Sequence, residues 1–163
     1  MIRAGLGRDL HRLVPGRRFL LGGVELDSDK GELGHSDGDV LTHAIIDAIL
    51  GAAGLGDIGE FFPPGDALWK DADSLELLRI VSQKIKTQGW KIINIDCVVC
   101  CEQPKILPYR EKIQSSLANV LEIEKEALFV KGKTNEGLGD IGKGEAVEAL
   151  AICLAEKQST TPR

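Results

Sequence analysis

Trp90-Lys91-Ile92-Ile93-Asn94-Ile95-Asp96-Cys97-Val98-Val99-Cys100-Cys101-Glu102 is the stretch that decides the fold class. Ile93, Ile95, Cys97, Val99 and Cys101 recur at every second position, the period that buries one face of a strand and leaves the other open. Three more stretches read as strands. Ile2 to Leu10 and Arg18 to Leu26 are Gly-punctuated and rich in Leu and Val, as a hairpin or an adjacent pair would be, and Ala127 to Lys133 follows further on.

Between the strands the period changes to that of a helix. Asp39 to Gly51 carries Val40, Ala44 and Ala48 beside Leu41, Ile45, Ile49 and Ala52, with Gly51 or Gly54 ending it. Asp73 to Gln88 spaces Leu77, Leu78, Val81 and Ile85 along one face, with Asp73 or Ser74 as N-cap and Gly89 as stop. Pro108 to Leu121 offers Ile113, Leu117, Val120 and Leu121 behind a first-turn proline. Glu145 to Leu154 fits a helix or a buried strand equally well. This order predicts an α+β fold: a two-layer α/β sandwich with a mixed four-stranded sheet and helices on one face. A single domain is expected over 1–157, with 158–163 as a flexible C-terminal tail.

Composition narrows the function. Against 20 Lys and Arg stand 25 Asp and Glu, a net charge of -5, so no basic face for nucleic acid is expected. For anionic substrates the same balance suggests bound metal ions as the local positive charge. The opening Met1-Ile2-Arg3-Ala4-Gly5 lacks the regions of a signal peptide, and no run has the length of a membrane span. Cys97-x-x-Cys100 has no second pair or following His pair to complete a zinc site, so Cys97, Cys100, Cys101 and Cys153 read as small apolar residues in a reducing cytoplasm.

The chemistry concentrates early. Asp9 and His11 are two apart on a strand end and share a face, and His43 lies on the first helix. Together they form an N/N/O set of the kind that holds a catalytic zinc with a fourth position open. Aspartate two before histidine also arises by chance, and a helical histidine is more often a core or surface residue. Gly34-His35-Ser36-Asp37-Gly38-Asp39 runs into that helix; Ser36 or Asp37 would cap it, and its N-terminus with His35 would suit a phosphate. Asp39, His43 and Asp47, spaced by four, make Asp39 or Asp47 the candidate to orient the histidine. Gly54 to Gly59 and then Phe61-Phe62-Pro63-Pro64-Gly65-Asp66 read as a substrate loop or as a rigid turn with an apolar tuck. Lys105 is framed by Pro104 and Pro108. Lys131 to Glu145 interleaves five glycines with lysines, Thr134 and carboxylates, like a phosphate and metal clamp without a P-loop pattern.

Over essentially its whole length the sequence resembles the 2-C-methyl-D-erythritol 2,4-cyclodiphosphate synthases of the non-mevalonate isoprenoid pathway. The resemblance is carried by Gly5-Leu6-Gly7-Arg8-Asp9-Leu10-His11, Gly22-Gly23-Val24, His35-Ser36-Asp37-Gly38-Asp39-Val40 with His43, Leu55-Gly56-Asp57-Ile58-Gly59, Phe62-Pro63, Ala72-Asp73-Ser74, Pro104-Lys105 with Leu107-Pro108, and Thr134 with Glu136. It implies a cytoplasmic homotrimer with active sites at subunit interfaces and a cytidine diphosphate substrate. It implies zinc on Asp9, His11 and His43, and Mg²⁺ or Mn²⁺ on Glu136. Asp9, His11, His35, Ser36, Asp57, Ile58 and Gly59 would meet the methylerythritol phosphate end, with Phe62, Pro63, Pro64, Gly65 and Asp66 in the loop beside it. Cys101, Glu102, Gln103, Pro104, Lys105, Ile106 and Leu107 would take the cytidine with Lys133 and Thr134 of a neighbouring copy. Asn135, Glu136, Asp140 and Lys143 complete the substrate set, and His35 and Thr134 are the implied catalytic residues. The sequence departs from the common pattern at Pro64, Lys133, Asp140 and Lys143, where Asp, Thr, an aromatic residue and Arg are usual. Lys143 puts a point charge where a planar fork is common.

The residues suit an intramolecular phosphoryl transfer. A phosphate monoester with a second pKa near ~6 is already a nucleophilic dianion, so charge neutralisation and positioning matter more than a base. Two other readings use the same residues: a zinc-dependent phosphohydrolase that activates water, and a non-catalytic, metal-stabilised trimeric binding module. A structural zinc normally takes four protein ligands, and no fourth is evident.

Overall fold

A computed structural model describes residues 1–34 and 36–158. The strand read from Trp90 is present, and its phase slips once. In chain order the elements are β1 (Ile2–Pro15), β2 (Phe19–Leu21), β3 (Val24–Leu26), β4 (Lys30–Leu33), α1 (Val40–Ala53), the short α2 (Ile58–Phe61), α3 (Ser74–Thr87), β5 (Trp90–Cys100), α4 (Arg110–Leu121), β6 (Leu128–Lys133), the short α5 (Gly139–Gly142) and β7 (Ala146–Lys157). In β5 the register against β7 shifts between Ile92 and Asn94. Ile92 is therefore buried and Ile93 is exposed, while Ile95, Cys97, Val99 and Cys101 face the core as their alternation predicts. An extra residue in one strand reverses the facing of everything on one side of it.

Among the described residues the main sheet has five strands in the order β4-β1-β7-β5-β6, not the expected four. It is mixed: β5 and β6 run parallel and the other neighbours antiparallel. Two readings change. Glu145 to Leu154 becomes β7, at the centre of the sheet. Arg18 to Leu26 leaves the main sheet, because Gly22 and Gly23 turn it into the separate ribbon of β2 and β3, both at positive φ. Strand β1 pairs instead with β7 and with the short edge strand β4.

The helices cover one face. Helix α1 crosses β1 and β7 on one side and α3 on another, so Leu41, Ile45, Ile46, Ile49 and Leu50 are all fully buried. A helix apolar all round belongs in a core, and each such side chain contributes about 1.5–3 kcal/mol of transfer free energy. Its N-cap is Asp39, which accepts the Thr42 N–H at 2.9 Å, rather than Ser36 or Asp37; Gly54 closes it in the left-handed conformation. Helix α3 starts at the Asp73 cap and buries Leu77, Leu78, Val81 and Ile85, as its spacing predicts. Helix α4 starts at Arg110, because Leu107 to Tyr109 form a tighter turn around Pro108.

What seats α1 is glycine. A Cβ on Gly5 would stand 2.0 Å from the Ala48 carbonyl oxygen, and one on Gly7 1.9 Å from that of Ala44. The helix backbone thus lies directly on the strand, with Ala44, Ala48 and Ala52 as its small facing stripe. One residue before Ala44, at the N-terminal end of this stripe, the seam brings His43 to Asp9 and His11.

The opposite sheet face has no helix on it among the described residues. Leu6 pairs with Ile152, Ile152 with Asp96 and Asp96 with Phe129, and Leu6, Ile152 and Phe129 are 66, 51 and 46 % exposed. The four cysteines are unpaired, and burial pushes the Cys101 and Cys153 thiols up to about 12. No helix among the described residues is long and apolar enough to cross a membrane. Of the expected tail, Gln158 donates its N–H to the Gly89 carbonyl at 2.8 Å, and 159–163 lie outside the described residues.

Candidate active site

The seam between β1 and α1 gathers the expected trio. One ligand atom each from Asp9, His11 and His43 lies within 4.8 Å of the others. Asp9 Oδ2 is 3.0 Å from His11 Nε2 and 3.0 Å from His43 Nδ1, and the rings meet edge to face at 5.2 Å. Burial works to raise the Asp9 carboxyl, but hydrogen bonds and charge from both histidines outweigh it and hold it well below the usual range. Burial likewise works to lower His11, while Asp9 and Glu32 push it up to about 10.

The far side of each ring fixes which nitrogen faces Asp9. His11 Nδ1 is 2.7 Å from the Gly38 carbonyl oxygen, which only accepts, so this nitrogen carries a proton and donates it. His43 Nε2 is 2.9 Å from both Ser36 Oγ and Ser74 Oγ, and Ser74 in turn donates to Asp37 Oδ1. Ser74 therefore receives the N–H of His43. In their neutral forms both imidazoles turn a lone pair toward the carboxylate, the arrangement found behind ligating histidines. The donor set fits a zinc ion held by Asp9, His11 and His43.

The orienting groups are not the expected ones. Asp39 is spent on its helix cap and on the Gly23 N–H at 2.7 Å, and Asp47 accepts the Ile58 N–H at 2.8 Å. Neither carboxylate bonds to the His43 imidazole. Ser74, Asp37, the Gly38 carbonyl and Glu32 take those places, contributed by a helix start, a turn and an edge strand whose approach no spacing announces. The only hint is that Ser74 opens a helix directly after a capping Asp73.

Around the trio, Ser36, His43, Ile58, Gly59, Phe62 and Pro64 line a cavity of about 180 Å³ together with Trp69 and Leu77. Asp57 caps α2 through the Glu60 N–H, and Asp66 caps the turn at Ala67 to Trp69. Phe62 is buried and stacks edge-on to Trp69 at 4.9 Å, so the apolar tuck is real; Pro63, Pro64 and Gly65 are exposed beside it. His35 lies outside the described residues.

A second cavity, of about 200 Å³, opens at the β5–β6 end between Cys101, Lys105, Ile106, Leu107, Lys133 and Thr134. Its frame is Glu102, whose Oε1 accepts the N–H groups of Asn135 at 2.7 Å and Gly137 at 3.3 Å. Cys101 donates to the Gln103 carbonyl, and the Gln103–Pro104 bond is cis. Thr134 donates to Glu136 Oε1 at 2.8 Å. Asp140 instead lines a cavity of about 410 Å³ beside His11, and Lys143 caps α5 at the surface.

Within one chain the two halves stay apart. Asp9 pairs with Ala149, Ala149 with Val99 and Val99 with Gly132. That is three strand spacings, roughly 14 Å at ~4.8 Å each, with β7 and β5 in between.

An α+β sheet carrying an Asp-His-His metal set defines the class, and the sequence places the chain within it: it belongs to the YgbB family, whose model matches residues 2–156. It is 62% identical over 153 residues to the 2-C-methyl-D-erythritol 2,4-cyclodiphosphate synthase of Treponema denticola, covering 94% of this chain and 95% of that protein. Among solved structures it is similar to the bifunctional IspDF of Campylobacter jejuni, with a TM-score of 0.93 and 40% identity over 98% of this chain and 43% of that one. It is also similar to IspF of Plasmodium falciparum in complex with CDP, with a TM-score of 0.85 and 37% identity over 97% of both chains.

Proposed function

We propose that this chain catalyses the 2-C-methyl-D-erythritol 2,4-cyclodiphosphate synthase reaction of the non-mevalonate isoprenoid pathway, converting 4-diphosphocytidyl-2-C-methyl-D-erythritol 2-phosphate to the 2,4-cyclodiphosphate and CMP. It acts as a cyclising, CMP-releasing phosphorus–oxygen lyase in the cytoplasm. The observation that carries the reading is the convergence of Asp9, His11 and His43 on one point, each imidazole held in the ligating tautomer from behind. Two dications, zinc on the trio and Mg²⁺ or Mn²⁺ on Glu136, supply Lewis acidity and charge neutralisation to the reacting diphosphate when bound.

In the reaction an oxygen of the 2-phosphate attacks the phosphorus nearer the erythritol. The bond from that phosphorus to the bridging oxygen breaks, and the electron pair leaves with CMP. Ser36, Asp57, Ile58 and Gly59 hold the methylerythritol phosphate beside the trio. Cys101 to Leu107, with Lys133, hold the cytidine at the β5–β6 end. Thr134, already a donor toward Glu136, turns its hydroxyl to a diphosphate oxygen, and His35 is the second catalytic residue of this reading. Phe62 packed on Trp69 shields the His43 side of the site from water.

The separation of the two halves supports assembly: the β5–β6 end of one copy completes the metal half of another in a homotrimer. The uncovered face with Leu6, Ile152 and Phe129 is the surface that such an assembly would bury.

The test is ³¹P NMR of the protein with the proposed substrate, Zn²⁺ and Mg²⁺. CMP and a cyclic diphosphate are the expected products. Open-chain phosphates would mean a phosphohydrolase, and bound metal with no turnover would mean a binding module.

A further inference from the structure

Glu32 is the anomaly of the core. It sits on the edge strand β4 with no exposed surface, where a carboxyl group is costly to keep. Its Oε2 accepts the Val40 N–H at 2.8 Å, and its Oε1 has no partner among the described residues. A leucine of similar size would fill the same space at no polar cost, so packing does not explain it. What it touches does. Oε2 lies 3.3 Å from His11 Nδ1, the nitrogen that also donates to the Gly38 carbonyl.

We propose that Glu32 is a positioning residue for the metal centre, a carboxylate behind His11 that locks its tautomer and strengthens Nε2 as a ligand. The inference rests on the reading of Asp9, His11 and His43 as a metal site. Charge count supports it. Asp9 supplies one negative charge to a dication and the two imidazoles supply none, so the buried centre retains a positive charge. Burial pushes the free Glu32 carboxyl up to about 8, and the net positive charge of a loaded centre would favour its ionised form on the Nδ1 side of His11. The Gly38 carbonyl directs the N–H, and Glu32 adds the charge that a carbonyl lacks. Outer carboxylates of this kind are worth about 10- to 100-fold in metal affinity.

The test compares wild type with Glu32→Gln and Glu32→Leu. At fixed pH, the zinc dissociation constant is measured by competition with a chromophoric chelator, beside thermal unfolding of the metal-free protein and the visible spectrum of the Co²⁺-loaded protein. Both variants should bind zinc at least about tenfold more weakly. Their cobalt bands should shift in position while keeping tetrahedral intensity, since all three ligands remain. Metal-free Glu32→Leu should melt no lower than wild type, because a buried carboxyl has been exchanged for a side chain that packs. Glu32→Gln keeps the shape and reports the charge alone should the leucine variant not fold. Wild-type zinc affinity and an unchanged cobalt spectrum in both variants would overturn the proposal and leave Glu32 a purely structural carboxyl. Failure of the wild type itself to bind one zinc would instead overturn the metal reading beneath it.

Discussion

Glycine serves the two halves of the site in opposite ways. At the β1–α1 seam a Cβ on Gly5 or Gly7 would run into helix backbone at 2.0 or 1.9 Å. In the loop from Lys133 to Gly144, a Cβ on Gly137, Gly139 or Gly144 would meet nothing within 4 Å, and these glycines serve through their positive φ. Gly142 is the exception, where a Cβ would stand 2.2 Å from the Gly137 backbone. One half is closed against its own chain, with Asp9, His11 and His43 each hydrogen-bonded to a neighbouring group. The other half is an open frame, tied back chiefly by Glu102 through the Asn135 and Gly137 N–H groups. Metal ligands need fixed geometry before anything binds, whereas a surface proposed to meet a second copy needs shape and access.

The contrast breaks most severely at His43. His43→Ala removes a ligand from the closed half, and turnover should fall by at least about 10³-fold, the equivalent of ~4 kcal/mol of transition-state stabilisation. Circular dichroism and the oligomeric state should stay those of the wild type, because the core around Ile45 and Ile49 is untouched; a collapsed fold would make the trio structural.

Gly7→Ala probes the packing that carries the trio. The added methyl meets the Ala44 carbonyl, and overpacking of this kind costs about 3 kcal/mol. Denaturant unfolding should show that loss together with weakened zinc binding, whereas an unchanged midpoint would mean that α1 shifts freely on β1.

The smallest effect is expected in the open half. Thr134→Ala should lower kcat by roughly thirtyfold, about 2 kcal/mol, and leave stability within about 0.5 kcal/mol. Equal losses in kcat and in stability would show that Thr134 supports the fold rather than the reaction.

Much of the closed half is legible in the sequence because it obeys local periods. Aspartate and histidine two apart on a strand share a face, and a helix starting at Asp39 delivers His43 to it. The glycines that precede Asp9 are visible as letters, but their purpose appears only when α1 is laid across them. Strand β7 hides because Ala149, Ala151, Cys153 and Ala155 on one face and Leu150, Ile152 and Leu154 on the other erase any contrast between faces. Strand β4 is too short to announce itself, and with it goes Glu32, which reads as one more surface acid until Val40 and His11 close over it. The reversal of Ile92 and Ile93 is similarly unreadable, since a single inserted residue in β5 leaves no trace in composition.

The three strands' width between Asp9 and the Thr134 loop has a genetic meaning. If every working centre borrows its halves from different copies, a gene damaged only at His43 and another damaged only at Thr134 describe two incomplete proteins that are incomplete in different places. Expressed in one cell, they would rebuild intact centres in mixed assemblies, so two alleles that are each deficient alone would complement. The same arithmetic makes an allele that spoils the uncovered face silent in company, because its product never joins the others.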